Sequence, residues 1–357
     1  MKKSRLLYVM FSMLSGILFV NCSDWTEPEA KDFFELPSES YYESLRAYKK
    51  SHHQIAFGWY GNWTGNGASL VNSLKGIPDS VDVVSLWEGY TNLTPQKKAD
   101  LEFCQRVKGT KFLTCLIIGD CGKGVTPSEF AGDKEKIKEY WGWIDGNQEA
   151  IERAIRKYAN ALCDTVYKYN YDGFDVDYEP TYMPEGNILD NKGNMIIFID
   201  ELSKRLGPKS GTEKLLVLDG ELRNIPGQLG PCFNYLINQT YKKASDAALD
   251  EKFIDHGVVS NFSGHLTEEE VTRRYVVTEN FESVFNALEG GYPYVDRYGN
   301  KMMSLEGMAR WQPTNGFEKA GFGCYRMEAE YPTSPEYKWM RNAIQAVNPS
   351  LNTLIKK

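Results

Sequence analysis

The sequence predicts an α/β protein folded as a (β/α)8 TIM barrel, and three observations carry that expectation. Eight short runs of apolar, β-branched and aromatic residues recur between Gln54 and Tyr325, helical patterns fall between several of them, and most runs are apolar on both faces. A strand buried on both faces belongs to a parallel sheet covered by helices, and eight such strands in a chain of this length suit a closed barrel. A doubly wound open sheet uses the same ingredients and is the competing architecture.

Gln54 to Trp59 reads as the first strand, Val81 to Trp87 as the second and Phe112 to Ile118 as the third. Thr94-Pro95 opens a helix that runs to Lys108, with proline at the first helical position, where its missing N–H costs nothing. The clearest helix runs from Asn147 to Tyr169: Ile151, Ala154, Ile155, Tyr158, Leu162 and Val166 form one stripe with charges opposite. It delivers the chain into the fourth strand, Asp172 to Glu179. A helix from Met195 to Leu206 and strands at Leu215 to Leu218 and Phe233 to Asn238 follow, and Thr267 caps a short helix leading to the seventh strand, Tyr275 to Glu279. Gly321 to Tyr325 is the eighth strand, and Pro335 to Val347 a closing helix. Long segments over 119–143 and 281–303 follow the third and seventh strands, at the face where a barrel gathers its functional loops.

The first residues read as an address. Lys2, Lys3 and Arg5 precede an apolar run from Leu6 to Val20, too short to cross a bilayer as a helix, and the run ends at Asn21-Cys22. This resembles a bacterial lipoprotein signal, which implies cleavage before Cys22 and lipidation of that cysteine. Asn21 departs from the small residue usual there, so ordinary secretion stays open. The acidic Ser23 to Glu27 is similar to a signal for display on the outer face. The expected organisation is a signal over 1–21, a tether and helical segment over 22–51 and one barrel domain over 52–357. The expected place is the cell surface or outer membrane, otherwise the periplasm or the medium.

Removing 21 residues, three of them basic, leaves 336 with a net charge of −10. So acidic a surface disfavours nucleic acid and anionic lipid as partners, and a monomer is expected. Besides Cys22 there are Cys104, Cys115, Cys121, Cys163, Cys232 and Cys324; those in apolar strands or on a helical stripe read as buried free thiols. Four histidines and no His-Glu-x-x-His leave little for a metal site, and no cofactor is expected. The 8 Trp and 22 Tyr exceed what a core alone asks for and suit the faces of sugars.

The fourth strand calls for a chemical reason. Side chains alternate along a strand, so Asp175, Asp177 and Glu179 share one face while Phe174, Val176 and Tyr178 pack on the other. Three carboxylates on one buried face repel, and such a row persists where protonation is split between an acid and its ionised neighbours.

Asp172-Gly173-Phe174-Asp175-Val176-Asp177-Tyr178-Glu179 matches every fixed position of the Asp-Gly-x-Asp-x-Asp-x-Glu signature that glycoside hydrolase family 18 carries on its fourth barrel strand. The chain resembles that family over roughly Gln54 to Val347. The resemblance implies that Glu179 is the general acid, and that an ionised Asp177 orients the substrate's acetamido group for attack on the anomeric carbon. Asp175 would share the proton of Asp177, and Asp172 would be structural. The family is an exception to two-carboxylate hydrolysis, because the substrate supplies its own nucleophile and passes through an oxazolinium ion.

Asn238-Gln239-Thr240-Tyr241 is similar to the Asn-Gln-x-Tyr of endo-β-N-acetylglucosaminidases, where chitinases carry a Met-x-Tyr-Asp-like pattern. Ile117-Ile118-Gly119-Asp120 likewise departs from the chitinase Ser-x-Gly-Gly. The implied activity is retaining cleavage of the GlcNAc-β1,4-GlcNAc core of N-glycans on glycoproteins; a chitinase and a non-catalytic glycan-binding protein are the other outcomes. Gln239 and Tyr241 would hold the acetamido carbonyl, with Asn238 beside them. Tyr325 is either the floor under the cleaved sugar or a core tyrosine. Trp59, Trp87 and Trp311 either stack on sugars or pack, and Asp219 and Glu221 either bind hydroxyls or are solvated.

Overall fold

The computed structural model describes residues 36–67, 69–183 and 185–349, so the expected signal, Cys22 and most of the tether lie outside the described residues. The chain divides at Tyr42 into two compact units. Of the first, the described residues are 36–42, which open the helix Glu39–Lys50. All that follows concerns the second unit, Glu43–Lys357. Within it the later half of that helix is fastened to the barrel: Arg46 Nη1 donates to Val107 O at 2.8 Å and Lys49 Nζ to Val81 O at 2.7 Å.

Eight parallel strands close a barrel: β1 Ile55–Tyr60, β2 Val83–Leu86, β3 Lys111–Ile117, β4 Gly173–Tyr178, β5 Leu215–Gly220, β6 Tyr235–Gln239, β7 Tyr275–Asn280 and β10 Gly321–Tyr325, which returns to β1. Closure excludes the open sheet. The remaining strands, β8 Pro293–Val295 and β9 Lys301–Met303, form an antiparallel hairpin inside the long segment after β7. Register sets neighbours at the same height in the wall: Trp59 beside Ser85, Cys115 beside Asp175, and Asp177 beside Asp219. Gly173 permits the close approach of β4 and β5, because a Cβ there would lie 2.2 Å from Leu215 O.

Strand alternation produces two apolar layers. Ile55, Phe57, Val83, Leu113, Val217, Ile237 and Val276 fill the barrel interior, while Phe174, Val176, Leu216, Leu218, Leu236 and Val277 face the helices. The helix Gln148–Lys168 covers β4 from outside. Asn147 caps it by accepting from Ala150 N at 3.1 Å, and its buried stripe stacks Tyr158 on Phe198 of the neighbouring helix Lys192–Ser203 at 5.4 Å. Each fully buried side chain of this size is worth about 1.5–3 kcal/mol, so the outer layer carries most of the stability. Thr94 and Thr267 cap their helices as the sequence predicts, the latter in a reciprocal box with Glu270. The six described cysteines are free and buried.

Candidate active site

The acids of β4 reach different depths. Asp172, at the start of the strand, accepts from Phe112 N at 2.9 Å and Gln105 Nε2 at 2.8 Å and pairs with Lys111, which ties β3 to β4 far from the strands' C-terminal ends. Asp175 is fully buried in the barrel and its Oδ2 accepts from Ser85 Oγ at 2.5 Å and Trp59 Nε1 at 3.1 Å. Asp177 and Glu179 open into a cavity of about 790 Å³ at the C-terminal ends of the strands. That volume suits an oligosaccharide segment.

Asp219 of β5, Gln239 of β6, Tyr241 beyond it, Trp59, Trp87 and Tyr325 line the same cavity. Gln239 Nε2 donates to Glu179 Oε1, joining β6 to the end of β4. Tyr325 is ringed by aromatics, with its centroid 6.3 Å from those of Tyr241 and Trp59 and 5.9 Å from Trp87. These rings form one wall, the flat apolar surface against which a sugar face packs. Tyr241 is positioned indirectly. Lys242 adopts a left-handed backbone and its N–H donates to the buried Glu279 Oε1 at 2.9 Å, fixing the turn that presents Tyr241. Gly220, with φ +97°, makes the matching bend at the end of β5: a Cβ there would lie 2.5 Å from Tyr178 O and 3.2 Å from Glu179 Cγ.

Burial dominates the electrostatics. It pushes Asp175 up to about 6 against the hydrogen bonds from Ser85 and Trp59, which pull the other way. Asp177 is held well above the ordinary carboxylate range by burial and then by the charges of Glu179 and Asp175; Asp219 is raised by burial and then by Asp175, Asp177 and Glu179. Both oxygens of Asp219 and Oδ1 of Asp177 have no hydrogen-bond partner among the described residues, an arrangement that costs a buried charged carboxylate more than a neutral one. The sequence reading expected an ionised Asp177; at 8% exposure beside two other acids its neutral form is favoured instead. Burial also raises Tyr241 well above the usual range, so its hydroxyl stays a donor. Cys115 Sγ and one oxygen each of Asp177 and Asp219 lie within 4.8 Å of one another, the pattern of a metal site, but all three are driven to their protonated forms, which compete with a cation.

Two expected residues lie elsewhere. Trp311 is 1% exposed and packs edge-on to Phe253 and Tyr275 at 6.1 and 6.2 Å, outside the cavity, because the segment after β9 folds back onto the barrel wall. Asn238 alternates with Ile237 and Gln239, so it leaves the main cavity, donates to Tyr275 Oη at 2.8 Å and borders a smaller hollow beside it. Asp219, open in the sequence between binding and solvation, is 1% exposed. Ser85, Glu279, Lys123 and Lys252 join the site without having been singled out. Ser85 carried a readable signal, a lone hydroxyl in an apolar strand. Lys123 lies in a turn and Lys252 in a widened helical turn, and neither carried one.

The family model for glycoside hydrolase family 18, BT1044-like, matches residues 26–346. Endo-β-N-acetylglucosaminidase F2 of Elizabethkingia meningoseptica is 27% identical over 333 residues, which span 86% of this chain and 85% of that protein. A solved structure of BT1044 is 33% identical with a TM-score of 0.75, covering 87% of this chain and 93% of that one. The endo-β-N-acetylglucosaminidase of Cordyceps militaris, 21% identical with a TM-score of 0.61 over 88% of this chain and 98% of that one, shares the fold. With the complete acidic signature at the end of β4 in a closed eight-stranded barrel, this chain belongs to glycoside hydrolase family 18, in its BT1044-like group.

Proposed function

We propose that the protein is an endo-β-N-acetylglucosaminidase that cuts between the two core GlcNAc residues of N-glycans with retention of configuration. The observation that carries this reading is the convergence of Glu179 and Asp177 from β4 with Gln239 and Tyr241 from β6 on one cavity. Glu179 protonates the leaving glycosidic oxygen. The substrate's acetamido oxygen attacks the anomeric carbon, and Tyr241, a half-buried donor, and Gln239 hold that group in line. As the ring closes, positive charge grows on the acetamido nitrogen. Asp177 then passes its proton inward to Asp175, the partner with two donors already on Oδ2, and faces the nitrogen as a carboxylate. Water, activated by Glu179 as base, opens the oxazolinium ion. The aromatic wall of Trp59, Trp87 and Tyr325 packs the sugar.

The test is incubation with ribonuclease B and with an IgG, read by mass spectrometry. A single GlcNAc left on each modified asparagine is expected, and no release from any N-glycan class would sink the reading. We also propose lipid anchoring through Cys22 at the cell surface; fatty-acid labelling lost in Cys22→Ala is the expected result, and unchanged labelling would refute it.

A further inference from the structure

A second hollow of about 220 Å³ adjoins the main cavity, and Thr181, Glu221 and Lys252 line both. Its remaining walls include Arg223 and His256. In a chain of net charge −7 this rim gathers cations: Arg223 and Lys243 are both close enough to Lys252 to disfavour its charge, in addition to its burial. Among the described residues, Lys252, Arg223 and Lys243 form no ion pair. The nearest acid, Glu221, is already committed. Its Oε1 accepts from Thr181 N at 2.7 Å, and its Oε2 accepts from Thr181 Oγ1 at 2.7 Å and from Asn224 Nδ2. His256 meets Glu251, at 3.1 Å.

The backbone supplies an independent observation. The helix Asp246–Asp250 after β6 widens into a π turn over Glu251–Asp255, and Lys252 stands in that turn. Single π turns recur at functional sites, because they re-aim side chains at a cost in helix geometry. Here the side chain re-aimed is a half-buried ammonium among like charges, an arrangement that an anion would relieve.

We propose that this hollow is a subsite for an anionic substituent, a carboxylate or a phosphate, on the glycan whose core occupies the main cavity. The proposal rests on the reading of that cavity as glycan-cleaving. Lys252 supplies a point charge and Arg223 a planar fork that grips either anion through two oxygens.

The test compares one glycopeptide bearing a sialylated biantennary glycan with the same glycopeptide after sialidase, and a phosphomannosyl glycopeptide before and after phosphatase. Both kcat/KM and the Kd for the Glu179→Gln protein are measured. Roughly tenfold preference for the charged form is expected at low salt, shrinking as salt screens it, and falling to about one in Arg223→Gln and in Lys252→Met. Preference in the sialyl arm alone assigns a carboxylate, and in the phosphate arm alone a phosphate. Equal Kd for charged and neutral forms in both arms overturns the subsite, as does a preference that survives both substitutions. Absence of cleavage with a preserved Kd preference refutes the hydrolytic reading and leaves the subsite standing.

Discussion

Replacing Asp175 with Asn should keep the protein's stability from falling as pH rises to neutrality, while disabling it. The amide is isosteric: its Oδ1 keeps both acceptor contacts, to Trp59 and Ser85, and its Nδ2 turns to the side where Asp175 Oδ1 has no partner. What changes is titration. Because the folded-state pKa is raised, from 3.8 to about 6, the stability that Asp175 contributes is fully present below about pH 4 and is lost as pH rises through about 6. That span corresponds to about 3 kcal/mol for a group with no exposed surface. Asn does not titrate, so the stability difference between variant and wild type should grow by about 3 kcal/mol between about pH 4 and pH 7.5. Comparing the two pH values cancels whatever the amide does to packing. Urea unfolding followed by tryptophan emission reads the difference, and initial rates should fall in parallel. A stability difference independent of pH, or one that moves towards the wild type as pH rises, would refute the buried-proton account.

The remaining expectations are briefer. Glu179→Gln should lower kcat by about 10²–10⁴ while glycan binding persists, and a near-normal rate would mean that another group gives the proton. Gly220→Ala places a Cβ against Tyr178 O at a backbone angle that favours glycine, so it should cost about 1–3 kcal/mol and depress kcat through Glu179; an unchanged melting temperature would contradict the geometry. Trp311→Ala should cost about 3–5 kcal/mol with KM unaltered, whereas a raised KM at unchanged stability would return Trp311 to the substrate.

The fold was legible because a barrel repeats one simple signal, an apolar run bounded by turns and helices, and all eight runs lie where the wall is. Boundaries slipped where side chains imitate the strand. Phe233 and Asn234 read as part of the sixth strand, yet Asn234 uses its Oδ1 to accept from Leu216 N, and regular pairing begins at Tyr235. The acids of β4 and their common face were readable from alternation alone. The same rule separates Asn238 from Gln239, since adjacent residues cannot both enter one cavity. Trp311 was not readable, because nothing local distinguishes an indole in a fold-back segment from one at a sugar site. Nor was the protonation of Asp177, which depends first on how deeply the closed barrel buries it.

The hydrogen bond from the Trp59 indole to Asp175 links an optical group to the barrel's buried carboxyls. Fluorine-labelled tryptophan would therefore report by NMR which carboxyl carries the proton, in the resting protein and during turnover. The neighbouring indole, Trp87, faces the cavity and lacks a hydrogen-bond partner on Nε1, so the two resonances give paired views, one of the proton and one of the sugar.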